Sequence, residues 1–276
     1  MRRSPLRLLV VGLVAGLLIG NVLSAGASGT AVQTVAKKTT TKKKAKKCKK
    51  GYKKTKSGRC KKVKKKPKPV VTPAPVTGEP LKGLFRLAPG TYKNGAGAGG
   101  SYIRLVNPGG SLEKGPYFLN PSNSGGTYTL LSPGTDGGLL TTSYQEPPAK
   151  PFGPLGDSLA NRIVKPQPFA GIRFSISTSE IDPQTKVKVP IPVITNTDGK
   201  LGGQIQAISA AWNNQTFNQG SPKPDGTSPG LTRPVSGIYD PATKAFTLEW
   251  SSRVVGGPFN GFTGKWHLQG TFEPRC

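Results

Sequence analysis

Short runs of alternating apolar and polar residues, separated by glycine and proline, fill most of the chain after its first eighty residues. In the clearest run, Ala245–Val255, the side chains of Phe246, Leu248 and Trp250 fall on one face of an extended strand. The glycine and proline breaks leave no space for a capped amphipathic helix of normal length. The pattern therefore predicts an all-β domain over residues 81–276, with a β-sandwich or jelly-roll architecture.

Ten runs have the composition of strands. They are Leu84–Leu87, Ser101–Val106, Thr127–Leu131, Leu139–Tyr144, Gly171–Ser177, Val187–Ile194, Gln204–Trp212, Val235–Tyr239, Ala245–Val255 and Gly264–Phe272. The run Gln204–Trp212 is ambiguous, because Ile205, Ile208 and Trp212 would also share one face of a helix.

The motif Asp-Pro-x-Thr-Lys occurs twice, at Asp182–Lys186 and at Asp240–Lys244. An aspartate can accept hydrogen bonds from the backbone of a turn, and proline presets φ at the next position. Both motifs are therefore interpreted as hairpin turns. If the closing lysine takes the left-handed conformation, it is strained where glycine would not be.

The N-terminal segment 1–27 has the layout of a secretory signal peptide. A short cationic start precedes the apolar run Leu8–Leu23, and Ala25-Gly26-Ala27 supplies the small residues that signal peptidase accepts. The run is shorter than the ~20 residues that span a bilayer comfortably. Export is the expectation, with an uncleaved signal anchor as the alternative.

Residues 28–69 carry most of the charge of the chain. They hold eighteen lysines, one arginine and no acidic residue, which is +19 of the formal net charge of +28. Such a segment cannot bury enough apolar surface to offset the loss of conformational entropy, so we expect a disordered tether. A proline-rich linker, residues 70–80, follows as a semi-rigid spacer.

The excess of lysine over arginine in the tether favours diffuse attraction to a polyanion over recognition of a base sequence. Tyr52 is the only aromatic residue in the segment, which gives little support to stacking on single-stranded nucleic acid. The expected partners are anionic polymers of the cell envelope, and the alternative is a solvated spacer with no partner. The polyanion-binding residues are predicted as Lys42, Lys43, Lys44, Lys46, Lys47, Lys49, Lys50, Lys53, Lys54, Lys61, Lys62, Lys64, Lys65 and Lys66.

The three cysteines suit an exported protein. Cys48 and Cys60 are expected to form a disulfide that closes a loop in the tether, because two thiols without further nearby ligands make a poor zinc site. Cys276 makes the count odd. It is predicted to be a free thiol or to link two chains in a dimer, and it could also compete for a tether cysteine.

The best candidate for a ligand site in the body is Trp212, Asn213, Asn214, Gln215 and Phe217. Aromatic faces stack on sugars, and side-chain amides both donate hydrogen bonds to hydroxyls and accept them. The competing interpretation, which we favour, places Trp212 and Phe217 in the core beside a polar loop.

Catalytic and metal sites have weaker support. His267 is the only histidine, and in a strand it shares the solvent side with Lys265 and Gln269, opposite Trp266 and Leu268. Without a local base or nucleophile it is expected to be non-catalytic. No cluster of ligating residues has metal spacing, so no metal and no cofactor are predicted.

Four segments near the C-terminus carry a resemblance to a family of secreted bacterial β-rich proteins of no known activity. They are Tyr239–Thr243, Trp250–Ser252, Gly256–Gly264 and Trp266–Phe272. The stretch around Cys48 and Cys60 is similar to Lys-rich modules that follow signal peptides in secreted actinobacterial proteins. The resemblance implies an extracellular β protein and no particular activity.

Together these features predict a secreted, envelope-associated β domain that is not an enzyme and is held to polyanionic polymers by its tether. Two alternatives stay open: a carbohydrate-binding module and an extracellular hydrolase.

Overall fold

The computed structural model describes residues 47–50, 52–57, 59–62, 77–93, 97–123 and 126–275. The chain divides into two compact units, residues 1–66 and 67–276, and each is described by itself. The predicted signal peptide, the first part of the tether, most of the linker and Cys276 lie outside the described residues.

The described residues of the first unit form an antiparallel hairpin, made of β1 (Tyr52–Lys54) and β2 (Cys60–Lys62). A disulfide joins Cys48 to Cys60, as the sequence predicts. The turn between the strands is closed by the Thr55 backbone amide, which donates to the Arg59 carbonyl at 2.9 Å.

The second unit is built from strands, and its described residues contain no helix. The prediction of an all-β fold is therefore confirmed. In chain order the strands are β3 (Glu79–Pro80), β4 (Gly83–Leu87), β5 (Thr91–Lys93), β6 (Gly97–Gly99), β7 (Tyr102–Ser111), β8 (Gly115–Tyr117), β9 (Thr129–Leu130), β10 (Gly138–Leu140), β11 (Gln167–Phe169), β12 (Ile172–Thr178), β13 (Val193–Thr197), β14 (Lys200–Gln204), β15 (Ile208–Trp212), β16 (Gln215–Asn218), β17 (Arg233–Tyr239), β18 (Ala245–Arg253) and β19 (Thr263–Pro274).

The larger sheet has the order β10-β4-β19-β18-β17-β14-β13-β3, and β7 attaches β8 and β9 to it. The longest strand, β19, pairs with the whole of β18 through its residues 263–271. On the other edge of β19, residues 263–267 pair with β7 and residues 270–274 pair with β4. The sheet therefore branches at β19, and two strands from the start of the unit are held by its last strand.

The inner face of this sheet has the alternation that the sequence predicts. Phe246, Leu248 and Trp250 are all buried. Trp250 lies opposite Trp266 in the register, and their rings stack with centroids 5.4 Å apart and planes 4° apart.

The smaller sheet has the order β11-β12-β15-β16 and packs on the inner face of the larger one. Phe174 of β12 meets the edge of the Trp266 ring at a centroid distance of 6.4 Å. Buried side chains of both sheets belong to one hydrophobic cluster, so the unit has the layered core of a sandwich. The jelly-roll order of strands stays a prediction.

The run Gln204–Trp212 is not the single strand that the sequence predicts. The chain leaves the larger sheet after Gln204 and enters the smaller sheet at Ile208. The helical alternative for this run is also wrong. Alternation within a run cannot show that its two halves belong to different sheets.

Two further differences concern the neighbouring segments. Most of Val187–Ile194 is not a strand, and β13 begins at Val193. Strand β14 contains Gly202 and Gly203. The sequence did not predict this strand, because glycine is depleted in strands. At Gly203, φ is +125°, and a Cβ would lie 2.0 Å from the Val193 carbonyl oxygen of β13. The close approach of the two backbones requires glycine here.

Both Asp-Pro-x-Thr-Lys motifs are turns, as predicted. The Asp182 carboxylate accepts hydrogen bonds from the backbone amide and the hydroxyl of Thr185, at 2.6 and 2.8 Å. The Asp240 carboxylate accepts from the Thr243 hydroxyl at 2.7 Å in the turn between β17 and β18. The closing residues Lys186 and Lys244 have φ of 60° and 59°.

We therefore expect Lys186→Gly and Lys244→Gly each to raise the melting temperature by about 1–3 °C. A left-handed non-glycine residue costs about 1–2 kcal/mol, part of which the greater chain entropy of glycine cancels. Thermal unfolding followed by circular dichroism measures the shift.

Lys200→Gly is the matched control, because Lys200 is also exposed but lies at the start of a strand and is not left-handed. This variant should melt below the unmodified protein. If both turn variants also melted lower, backbone strain at the two lysines would be refuted.

Candidate functional site

The hairpin of the first unit presents a dense array of cations. Eight lysines and one arginine are described there, and all nine side chains are exposed: Lys47, Lys49, Lys50, Lys53, Lys54, Lys56, Arg59, Lys61 and Lys62. Seven of them belong to the predicted polyanion-binding set. The set predicted from the sequence does not include Lys56, which lies in the turn, or Arg59, which lies beside it. The other seven predicted lysines, Lys42, Lys43, Lys44, Lys46, Lys64, Lys65 and Lys66, lie outside the described residues.

The strand register brings like charges together. Lys53 lies directly opposite Lys61, so the two side chains project from the same face of the hairpin. Like charges on directly opposed residues of a hairpin are destabilising. A bound polyanion would relieve this repulsion, while the Cys48–Cys60 disulfide keeps the loop closed without one.

In the second unit, the predicted saccharide residues lie at the turn between β15 and β16. Asn213 and Asn214 form a two-residue hairpin turn with φ of 49° and 56°, as expected of a type I′ turn. Trp212 is only 8% exposed, and its indole nitrogen donates to the Phe169 carbonyl at 2.8 Å. Phe217 is 6% exposed.

The burial of Trp212 and Phe217 favours their interpretation as core residues. Trp212 packs edge-on against Phe259, with ring centroids 5.2 Å apart, so little of either face is displayed to solvent. Saccharide binding by these five residues stays a prediction.

Trp212 and Phe217 instead line a small apolar cleft between the two sheets. Its volume is about 60 Å³. The other lining residues are Ile103, Leu105, Phe169, Phe174, Ala210, Gln219, Val254, Phe259 and Trp266. The loop 256–263 supplies Phe259, and Phe259 packs on Phe262 beside the cleft. This explains why the loop carries two phenylalanines.

A buried polar layer lies next to the cleft. Lys223 is 7% exposed, and its ammonium group donates to the Asn218 carbonyl at 2.7 Å and to the Ser252 hydroxyl at 2.6 Å. Burial lowers the pKa of Lys223 to about 7, against the opposing effect of Asp182 and Asp225.

A lysine of lowered pKa beside a serine is the arrangement that activates a nucleophile in some hydrolases. Here Ser252 is completely buried, and its hydroxyl donates to the Gly220 carbonyl at 2.8 Å. Its proton therefore points away from Lys223, and its oxygen is covered. The pair serves the packing of the two sheets and is not presented to a substrate.

Asn218 is the centre of the polar layer. Its side-chain amide donates to the buried Asp182 carboxylate at 2.8 Å and to the Gln206 carbonyl at 2.9 Å. Its carbonyl accepts from both Lys223 and Gln219. The turn at Asp182 is thereby joined to the edge of the smaller sheet.

His267 lies on the outer face of β19, on the side that the sequence predicted, opposite the buried Trp266 and Leu268. It is more enclosed than expected, with 16% of its side chain exposed. Its Nδ1 atom is 2.7 Å from a carboxylate oxygen of Glu249, and this hydrogen bond lowers the pKa of Glu249. Of the hydrogen bonds among described residues, none joins a serine to His267, so they contain no serine–histidine nucleophile pair.

Two searches of the described residues give negative findings. They contain no group of three or more histidine, cysteine or acidic residues placed to hold a metal ion. In the same part of the chain there is no helix with the length and apolarity needed to span a membrane.

Comparisons with protein-family models, curated proteins and solved structures each find no match for this chain. The family resemblance of the sequence therefore stays a prediction.

The buried amine of Lys223 predicts a pH-dependent stability. Its folded-state pKa of about 7 lies below the ordinary value of 10.5. Between these values the unfolded chain binds more protons than the folded protein, so the free energy of unfolding rises with pH. Below pH 7 the amine is charged in both states, and the cost of burying it is fully present. Urea unfolding from pH 7 to 9.5 should show a contribution of roughly 1 kcal/mol per pH unit.

Lys223→Met is the control, because it removes the titrating group and keeps an unbranched side chain. The comparison is between slopes, so a change in the overall stability of the variant does not affect it. The same pH slope in both proteins would exclude Lys223 as the source.

Proposed function

We propose that this protein is an exported, envelope-associated and non-enzymatic β protein that binds polyanionic polymers through its Lys-rich segment. One observation carries the proposal: nine exposed cations lie on a short disulfide-closed loop or directly beside it, in a segment whose sequence contains no acidic residue. The predicted signal peptide supports a location outside the cytoplasm, where a disulfide persists.

The geometry of the loop supports diffuse binding to a flexible polymer. Lys53 and Lys61 project from one face of the hairpin, and Lys54 and Lys62 project from the other, so positive charge surrounds the loop. Lysine supplies a point charge without the fork geometry of arginine, which suits phosphates or carboxylates at variable spacing. A repeating poly(glycerol phosphate) of a bacterial envelope has this character.

The second unit is much less positively charged than the tether. Residues 70–276 carry a formal charge of only +6, and their cations are dispersed among all twelve acidic residues of the chain. We therefore assign affinity for the polymer to the tether, and the body is what the tether retains at the surface. Carbohydrate binding and hydrolysis remain the alternative functions of the body.

Replacing the seven described lysines of the predicted set with glutamine tests the assignment. These are Lys47, Lys49, Lys50, Lys53, Lys54, Lys61 and Lys62. The full chain should bind poly(glycerol phosphate) with an affinity that falls steeply between 50 and 200 mM salt, by about 10³-fold or more if six or more phosphates are contacted. The substituted chain should bind at least about tenfold more weakly at the lower salt concentration, and its salt slope should be smaller.

A body variant with the same charge change is the matched control. It replaces seven exposed lysines of the second unit, Lys82, Lys93, Lys114, Lys150, Lys165, Lys200 and Lys244. Its binding should stay within about threefold of the unmodified chain, because the hairpin is intact. Equal losses in the two variants, or binding that salt does not weaken, would contradict the tether as the polyanion-binding element.

A further inference from the structure

Four of the seven tyrosines of the chain lie close together beside β7, on the outer face of the larger sheet. Tyr102 meets the Tyr128 ring edge-on at 5.1 Å, and Tyr117 and Tyr128 both contact the Arg104 guanidinium. Tyr92 is 40% exposed, and its hydroxyl donates to the Tyr128 carbonyl. We call Tyr102, Arg104, Tyr117, Tyr128 and Lys265 the Tyr-Arg face.

The guanidinium of Arg104 is held in place by aromatic rings. Its central carbon lies 3.3 Å from the centroid of the Tyr117 ring and 4.4 Å from that of Tyr128. One terminal nitrogen donates to the Thr127 hydroxyl at 3.1 Å. The buried Nε atom has no hydrogen-bond partner among the described residues. Arg104 is therefore oriented by its neighbours, and because Nε is buried, a ligand would meet the terminal nitrogens of the guanidinium.

The charges on this face leave an excess of positive potential. Lys265 lies directly opposite Arg104 in the strand register, so the two cations are adjacent. The nearby carboxylate of Glu249 is paired with His267, and the His267 ring stacks on Tyr102 at 4.5 Å. The Glu249 carboxylate also interacts with Lys265, so two cations, Arg104 and Lys265, face one carboxylate, which leaves a net positive charge.

We propose that the Tyr-Arg face binds an acidic saccharide. A sugar ring packs on the partly exposed tyrosine rings, and its carboxylate accepts hydrogen bonds from Arg104 and Lys265. Arginine matches a carboxylate through two parallel N–H groups, and aromatic rings pack on the apolar faces of sugars. The exposed amide of Gln269 and the half-exposed carboxylate of Glu249 lie on the same sheet face for the sugar hydroxyls.

Other anions fit this face less well. A poly(glycerol phosphate) chain has no flat apolar ring to cover tyrosine. An oligonucleotide has both flat rings and negative charge, so a trinucleotide is included in the test as a comparison ligand. The proposal concerns the second unit alone and is independent of the tether.

The test uses the full-length chain in which the fourteen predicted tether lysines are glutamine, so that the tether does not capture the probe. A linear trimer of galacturonic acid is the probe, titrated by calorimetry, and the uncharged galactose trimer is its matched control. We expect the acidic trimer to bind with a Kd below about 1 mM and the neutral trimer at least tenfold more weakly, a difference of about 1.4 kcal/mol.

Arg104→Lys should weaken binding of the acidic trimer about tenfold, since it keeps the charge but loses the paired N–H groups. Arg86→Lys is the control, because Arg86 is an exposed arginine of the same sheet that pairs with Glu273 outside the face. Its affinity should be unchanged. Circular dichroism establishes that each variant is folded. If Arg104→Lys does not fold, Lys265→Gln takes its place, with an expected loss of about threefold or more.

Three outcomes would overturn the proposal. They are no binding of the acidic trimer up to about 10 mM, equal binding of the neutral trimer, and a folded Arg104→Lys or Lys265→Gln variant with unchanged affinity. Tighter binding of a thymidine trinucleotide than of the acidic trimer would assign the face to nucleic acid instead. None of these outcomes bears on polymer binding by the tether.

Discussion

The packing of the two sheets depends on one side chain, Gln219, and on the stacked indoles of Trp250 and Trp266. Two buried indole N–H groups must each find an acceptor, since an unsatisfied buried donor costs about 1–3 kcal/mol. Gln219 supplies both acceptors, its carbonyl oxygen to Trp250 at 2.9 Å and its side-chain oxygen to Trp266 at 3.2 Å. It directly follows the last strand of the smaller sheet, so these hydrogen bonds fix how that sheet sits on the larger one. Gly264 leaves room for the contact, because a Cβ there would lie 2.5 Å from the Gln219 side-chain oxygen.

The same junction separates two chemical environments inside the second unit. On one side is the apolar cleft, lined largely by aromatic rings. On the other is the polar layer of Asn218, Lys223 and Ser252, whose side chains make hydrogen bonds to buried groups. A buried network of this kind stabilises one arrangement of the sheets when its members are satisfied. Lys223 is therefore enclosed by the fold, whereas the groups that we propose for binding are the exposed lysines of the hairpin and the partly exposed tyrosines around Arg104.

The local features of the fold could be predicted from the sequence, and the long-range ones could not. The strand that contains Phe246, Leu248 and Trp250 could be predicted because alternation is a property of residues that are close in sequence. The two Asp-Pro-x-Thr-Lys turns were predictable for the same reason, including the left-handed lysine. In contrast, Gln204 and Ile208 belong to different sheets, and nothing in the run between them marks the change. The candidate sites follow the same division. The cationic loop can be recognised from composition, whereas the partners of Arg104 come from separate segments around residues 117, 128 and 265.

The sequence by itself determined that this protein has an all-β body with turns at defined places, that its positive charge is concentrated in one segment, and that two of its cysteines are near enough along the chain to pair. These properties depend on composition and on residues close in sequence. Only the tertiary structure decided which aromatic residues are enclosed. Trp212 and Phe217 look like a ligand platform beside their polar loop, but the opposing sheet and Phe259 cover them. Burial depends on what packs from elsewhere in the chain, so only the folded structure shows that Trp212 and Phe217 are enclosed while the tyrosines around Arg104 stay partly exposed.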